Sequence, residues 1–410
     1  MRLVKQANTS LIINVLKAQG PLSQAEISRI TKLTKSTVSG IINELMSAGV
    51  IREAGVGTAG SSGGRRPTLL ELNPEAFYVV GVDIGTTNIH AILTNLTGAS
   101  LNEKAIPTLP RDGLDSLVRR TVELIKEIVQ EPGIQMSELV GIGVAAAGLV
   151  DHKTGVVKYS PNFNWRNVPL KDLLENTIQV PVSVDNCTRV MARGEMWFGA
   201  AKTVSNLLYV NVGYGIGSAL VIDKKVVQRD SEMGHIAVME DGPVCGCGKA
   251  GCVEAISSGS AIEAKAREAV NQGRSSMMRD LCDGDPSRIT AKIVADAARA
   301  GDITARRVMS DAGRYLGKAI AAAVNFFNPE LVVIGGGVSL AGDIYLEPVL
   351  SGFRSYVMRD LYSDDKIVLS ELGIRGGVLG GAGLILGEFS RLDAGGPPGR
   401  IEDVRSANSY

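Results

Sequence analysis

Three observations predict an α/β chain in which an N-terminal winged helix-turn-helix precedes a two-lobed actin-like ATPase fold. Three short amphipathic patterns crowd the first fifty residues, two strand signals flank a glycine-rich loop behind them, and three apolar runs ending in glycine turns recur along the remainder. At 410 residues the chain has room for two or three domains with their own cores. The expected partition is a winged helix-turn-helix with its wing or linker over 1–74, a first lobe over 75–190, a second lobe over 191–390, and a polar, flexible tail over 391–410.

"NTSLIINVLKAQG" places Leu11, Ile12, Val15 and Leu16 on one helical face and stops at Gly20. "PLSQAEISRIT" opens a second helix with Ser23 and Glu26 at capping-box spacing, where each side chain satisfies a free amide of the first turn. The third, "TKSTVSGIINELMSAG", carries Val38, Ile41, Ile42 and Leu45 at i, i+3, i+4, i+7 and closes at Gly49. Only "KLTK" separates the last two, the length of a helix-turn-helix corner. Opposite its apolar stripe the third helix bears Lys35, Ser36, Thr37, Ser39 and Asn43. These donors and acceptors reach phosphates and base edges when a helix lies in a major groove. "VIREAG" and "TLLELN" then read as the two strands of a wing.

Charge points to a polyanion partner for this module alone. Residues 1–67 hold nine Lys or Arg against three acids, a net +6, so in a chain of zero net charge the rest carries −6. Within the loop "GTAGSSGGRRP", Arg65 and Arg66 stand between a glycine run and Pro67. Guanidinium groups so placed suit the negative potential of a narrow minor groove; a plain flexible linker is the competing reading.

The body begins with "FYVVGVDIGTTNIHAIL": an apolar strand, the turn Asp83-Ile84-Gly85-Thr86-Thr87, and a second strand. Such a turn offers amides and hydroxyls to phosphate, and its Asp can hold a metal-bound water. "NLLYVNVGYGIGSALVID" repeats the design through Gly213, Gly215 and Gly217, and "ELVVIGGGVSLAGD" ends its strand at Gly335, Gly336 and Gly337. One glycine turn is a weak signal. Three in this order, roughly 130 and 120 residues apart, match the two similar halves of an actin-like ATPase fold.

His235 with Cys245, Cys247 and Cys252, in "EMGHIAVMEDGPVCGCGKAGCVEAISSG", makes a closed set of one imidazole and three thiolates. That is the donor set of a structural zinc ion rather than a catalytic one. Five cysteines, three of them clustered, suit a reducing compartment and a metal better than a disulfide framework. No apolar run approaches a membrane span and the start lacks a secretory signal, so a cytoplasmic protein without membrane insertion is expected.

With these residues in view the chain resembles the ROK (repressor, ORF, kinase) family, which joins bacterial sugar kinases to sugar-responsive repressors. The resemblance extends over about residues 78–388, and the module in front resembles the repressor branch. Glu232-Met233-Gly234-His235 matches the family's Glu-x-Gly-His sugar motif, the cysteine spacing agrees through Glu254 without gaps, and "YSPNFNW" resembles the sugar-side loop. The resemblance implies a sugar kinase-like pocket in which Asn162, Asn186, Glu232, His235 and Glu254 read hydroxyls, each of which both donates and accepts. His235 would serve twice, one ring nitrogen on zinc and the other toward sugar, so that the ion fixes its tautomer. Asp83, Gly85, Thr86, Gly215, Gly217 and Gly336 become remnants of nucleotide loops.

One segment departs from that pattern. The family's kinases carry acid-Asn-Asp-x-Asn, whose second acid is the general base toward the attacking sugar hydroxyl. Aligned on Gly194-Glu195, "VDNCTRVMARGE" puts Cys187 at the base and Arg189 at the second Asn. A free thiol titrates near pH 8.5 and stays mainly protonated, and lost base assistance costs roughly 10²–10⁴-fold in rate. Tyr214 also stands where the kinases present a threonine hydroxyl.

The expected protein is therefore no enzyme, and no catalytic residue is assigned. It is a sugar-responsive DNA-binding regulator, read as a repressor of carbohydrate genes. Its expected partners are a roughly palindromic double-stranded operator, a sugar or sugar-phosphate effector, and its own copies in a homodimer or dimer of dimers. A bifunctional kinase-regulator, control by a sugar-transport protein, and an activator stand as alternatives.

Overall fold

The computed structural model describes residues 2–58 and 66–389, so Arg65 and the tail expected over 391–410 lie outside the described residues. Three helices open the chain, α1 (Arg2–Gln19), α2 (Gln24–Thr31) and α3 (Lys35–Ser47), followed by the antiparallel strands β1 (Ile51–Val56) and β2 (Thr68–Leu72). The capping box forms: Ser23 N–H donates to the Glu26 carboxylate at 2.8 Å and Glu26 N–H to the Ser23 hydroxyl at 3.3 Å. Those bonds, the backbone one first, hold the Glu26 carboxyl below its ordinary range. Lys32, in the left-handed region at φ 57°, turns the corner, and Thr34 caps α3.

Val38, Ile41, Ile42 and Leu45 are all buried, as their spacing requires. The face of α1 is set differently from expectation. Thr9, Ile12, Ile13 and Leu16 are buried, while Leu11 is 39 % exposed. A stripe begun at Thr9 keeps the helical period, and Leu11 then points away. Leu22 adds a single antiparallel bridge to Leu70 that widens the wing sheet.

The chain divides into two compact units, the winged module falling with the first, changing over between Cys187 and Thr188 and back between Gly377 and Val378. The first unit continues with β3 (Tyr78–Ile84), β4 (Asn88–Asn95), β5 (Ser100–Pro107), α4 (Leu114–Gln130) and β6 (Leu139–Ala146). A small antiparallel sheet follows, β7 (Leu149–Asp151), β8 (Val156–Ser160) and β9 (Trp165–Val168), then α5 (Leu170–Ile178) and β10 (Val182–Asn186). Helix α6 (Cys187–Phe198) starts at the first changeover.

The second unit holds β11 (Leu207–Val212), β12 (Ile216–Ile222) and β13 (Lys225–Val226). Helices α7 (Glu254–Ser257), α8 (Gly259–Asn271), α9 (Met278–Leu281), α10 (Ala291–Arg299) and α11 (Ile303–Phe327) come next. They are followed by β14 (Leu331–Gly335), α12 (Asp343–Tyr356) and β15 (Ile367–Leu369). Helix α13 (Gly376–Phe389) closes the described chain.

The two main sheets share one plan. The first runs β5-β4-β3-β6-β10 and the second β13-β12-β11-β14-β15. In each, the first three strands are antiparallel neighbours and the last two join in parallel. This repetition is the two-lobed actin-like architecture, with its glycine turns at matching strand ends.

One boundary differs from the expected partition. From Val378 onward α13 belongs to the first unit, not to the second lobe that precedes it in the chain. The reason is a backbone-to-backbone contact. A Cβ at Gly81 on β3 would lie 1.8 Å from the Val378 carbonyl oxygen, and one at Gly143 on β6 would lie 2.0 Å from that of Gly381. Only glycine permits so close an approach of helix to sheet.

Candidate functional site

On the winged module, Lys35, Ser36 and Asn43 are exposed while Thr37 and Ser39 are half-buried. Lys35, Ser39 and Asn43 recur every four residues and so share one side of α3. Ser36 and Thr37 are partly spent locally, their hydroxyls lying 3.0 and 2.9 Å from that of the cap residue Thr34. Arg66 is exposed beside the wing; Arg65 lies outside the described residues. The ion pair of Lys5 with Glu44, at 2.9 Å, ties α1 to α3.

In the second unit the sequence-predicted cluster comes together. One ligand atom each from His235, Cys245, Cys247 and Cys252 lies within 4.8 Å of the others. Cys245 Sγ is 3.5 Å from His235 Nδ1, and Cys247 Sγ is 3.6 Å from Cys252 Sγ. Tetrahedral ligands at zinc bond lengths stand about 3.5 Å (N to S) and 3.7 Å (S to S) apart, so the group fits a metal ion of that size. Local turns build it. Cys245 N–H donates to the Lys249 carbonyl at 2.7 Å, and the bridges Ala237–Cys252 and Val244–Ala250 close the loop. Burial pushes the Cys245 thiol up to about 12 and raises that of Cys252, while a backbone bond from Lys249 lowers that of Cys247. A metal ion bound there would expel protons from the buried thiols.

Two predicted sugar-reading carboxylates surround this cluster. His235 presents Nδ1 to the thiols, and its Nε2 lies 3.9 Å from Glu232 Oε2. Glu254 Oε1 is 3.8 Å from Cys245 Sγ, and its Oε2 accepts the Ile216 N–H at 2.9 Å. A Cβ at Gly215 would meet that oxygen at 2.6 Å, which explains the glycine there. Gly217 faces Thr188 with similar closeness, at 2.4 Å. Gly336 adopts φ 88° behind Asn211 and Val212. Tyr214, at the hairpin tip, is 65 % exposed.

The first unit carries the remaining candidates. Asn186 donates its side-chain amide to the Gly148 carbonyl at 2.8 Å, and Asn162 is exposed on the turn between β8 and β9. Cys187, the first residue of α6, is half-buried. Gly85 spends its N–H on Asn88 at 3.0 Å and its carbonyl on the Thr108 hydroxyl at 2.6 Å, so the hairpin is braced from within; Thr86 is half-buried beside it.

Desolvation pushes the Asp83 carboxyl from 3.8 up to about 6. Because the folded value is the higher one, this group costs stability as pH rises through 4 to 6, and the full cost is present above that range. Asp83→Asn is expected to gain about 1–3 kcal/mol in urea unfolding at pH 7.5 and no more than about 0.5 kcal/mol at pH 4. Wild type and variant measured side by side cancel other titrations; an equal gain at both pH values would rule out ionisation as its source.

Several residues at the site carry no local sequence signal. Ser218 on β12 bonds to Ser231, and Arg189 on α6 pairs with Asp230, both next to Glu232. Only the alignment of Arg189 with a kinase asparagine pointed there.

A paired helix corner with a wing, followed by a duplicated five-stranded α/β body with a Cys3His loop, defines a DNA-binding module joined to an actin-like body. Residues 7–52 match the winged helix-turn-helix DNA-binding family and residues 79–388 match the ROK family. The chain belongs to the ROK family. It is 32 % identical to the xylose repressor of Caldicellulosiruptor bescii, covering 94 % of this chain and 97 % of that one. It is 35 % identical to a glucokinase of Halalkalibacterium halodurans, covering 78 % of this chain and 98 % of the enzyme. The solved structure of a ROK-family transcriptional regulator, a homologue of the E. coli Mlc protein, aligns with TM-score 0.81 at 27 % identity, over 96 % of this chain and 98 % of that one.

Proposed function

We propose that this protein is a sugar-responsive DNA-binding repressor of carbohydrate genes, acting in the cytoplasm as a homodimer or dimer of dimers. The observation that carries the reading is the match to a xylose repressor along nearly the whole of both chains, winged module included. Lys35, Ser36, Thr37, Ser39 and Asn43 contact the operator, with Arg65 and Arg66 in the adjoining minor groove. Asn162, Asn186, Glu232, His235 and Glu254 read the sugar. His235, Cys245, Cys247 and Cys252 hold a structural zinc ion, which fixes the imidazole that reads a hydroxyl. A sugar that binds one conformation better shifts the equilibrium between DNA-competent and incompetent states by that difference. Among the described residues no helix is long and apolar enough to cross a membrane, in keeping with this reading.

The test starts from DNA fragments selected by the full-length protein out of a random pool. Lys35→Ala with Asn43→Ala is expected to weaken binding at least about tenfold by fluorescence anisotropy, the scale of losing one base and one phosphate contact, with an unchanged melting temperature. Wild-type affinity in that variant would remove α3 from the interface. A second reading, a regulator that is also a kinase, draws on the glucokinase relative; turnover with ATP in the range of about 1–100 s⁻¹ would establish it.

A further inference from the structure

Arg189 is a buried cation, 4 % exposed, on the first turns of α6. Its Nη1 lies 3.1 Å from Asp230 Oδ1, and Asp230 is itself exposed at the surface end of the pair. Two residues on from Asp230 comes Glu232. The other flank of this segment is held by Ser218 on β12. The Ser218 hydroxyl donates to the Ser231 carbonyl at 2.9 Å, shares a second bond with the Ser231 hydroxyl at 2.8 Å, and accepts the Met233 N–H at 3.3 Å. Residues 230–233, which deliver Glu232 and lead into His235, are thus clamped between a guanidinium and a hydroxyl.

The helix that supplies the guanidinium is itself fixed within the same unit. Buried Glu195, two turns further along α6, accepts the Ala200 N–H at 2.9 Å and the Ser370 hydroxyl. At the near end Thr188 packs against Gly217. An ion pair with one buried partner is a poor source of stability, because desolvation of the guanidinium offsets the attraction, but the buried charge demands one geometry. Arg offers a rigid fork that a short amide cannot extend as far.

We propose that Arg189, through its ion pair with Asp230, is the positioning residue that aims Glu232 at a sugar hydroxyl. This deepens the reading of Glu232 as a sugar contact and rests on it. The kinase-type asparagine at the same place carries no charge, so Arg189 fixes the sugar-reading turn from the helix side by a device the kinase pattern lacks.

The test uses the full-length, metal-loaded protein and isothermal titration with D-glucose, D-xylose, N-acetyl-D-glucosamine and the 6-phosphates of the two hexoses. For whichever of these the wild type binds, Asp230→Asn is expected to weaken affinity at least tenfold, with operator affinity and metal content unchanged. Arg189→Gln is expected to lose as much, and Arg189→Gln/Asp230→Asn no more than either single change, the signature of one coupled pair. Should Arg189→Gln fail to fold, the exposed and isosteric Asp230→Asn decides. Wild-type sugar affinity in Asp230→Asn, or losses that multiply in the double variant, would overturn the proposal alone. A wild-type chain that binds none of these sugars overturns the sugar reading and the proposal with it.

Discussion

Cys252→Ser is expected to empty the metal site and abolish most of the sugar response while leaving DNA binding intact. Cys252 is fully buried and its thiol is 3.6 Å from that of Cys247 and 3.7 Å from the His235 carbonyl. Serine supplies no soft ligand, and three remaining donors do not make a closed structural site. On the proposed zinc role, His235 then loses the ion that fixes its ring and tautomer, and with it the orientation of its sugar contact. Metal content by mass spectrometry should fall from about one ion per chain to a small fraction, and sugar affinity by titration at least tenfold. Exhaustive chelation of the wild type should reproduce both changes. A variant that retains its ion, or a metal-free chain that binds sugar at full affinity, would separate the cluster from recognition.

Cys187→Asp is expected to raise ATP-dependent sugar phosphorylation by about 10²–10⁴-fold over wild type, the usual worth of a general base. The wild type should turn over below about 0.1 s⁻¹, under the ordinary kinase range. On the reading of Cys187 at the base position, Asp185 is not expected to stand in for a base. It is 1 % exposed, and its Oδ1 already accepts the neighbouring Asn186 N–H at 2.7 Å. Two residues along, the chain turns from strand into helix, so Asp185 and Cys187 do not exchange places by a small slide. A coupled assay in which wild type already reaches 1 s⁻¹ would sink the assignment as a non-enzyme. A variant no faster than wild type would place the block at Arg189 and Tyr214 instead.

Local chemistry was legible in the sequence, and long-range pairing was not. The capping box at Ser23 and Glu26, the stripe from Val38 to Leu45, and the glycine turns each depend on residues a few positions apart, and all stand where the sequence puts them. The Cys3His cluster was legible because metal ligands repeat at short spacings with glycines between them. The α1 stripe was misjudged because a threonine takes the place of the expected leucine in the core. The bond from Leu22 to Leu70 and the pair Arg189–Asp230 join residues 48 and 41 positions apart, for which no period exists. Such contacts are settled by packing, not propensity.

The return of α13 to β3 and β6 bears on how this chain is made. During synthesis the first sheet emerges well before the helix that covers one of its faces. The whole second unit must be translated in between. That unit has all its strands available beforehand and can complete itself as an insertion. The older sheet meanwhile waits without the helix that packs on Gly81 and Gly143, so that face is covered only after the second unit has been translated.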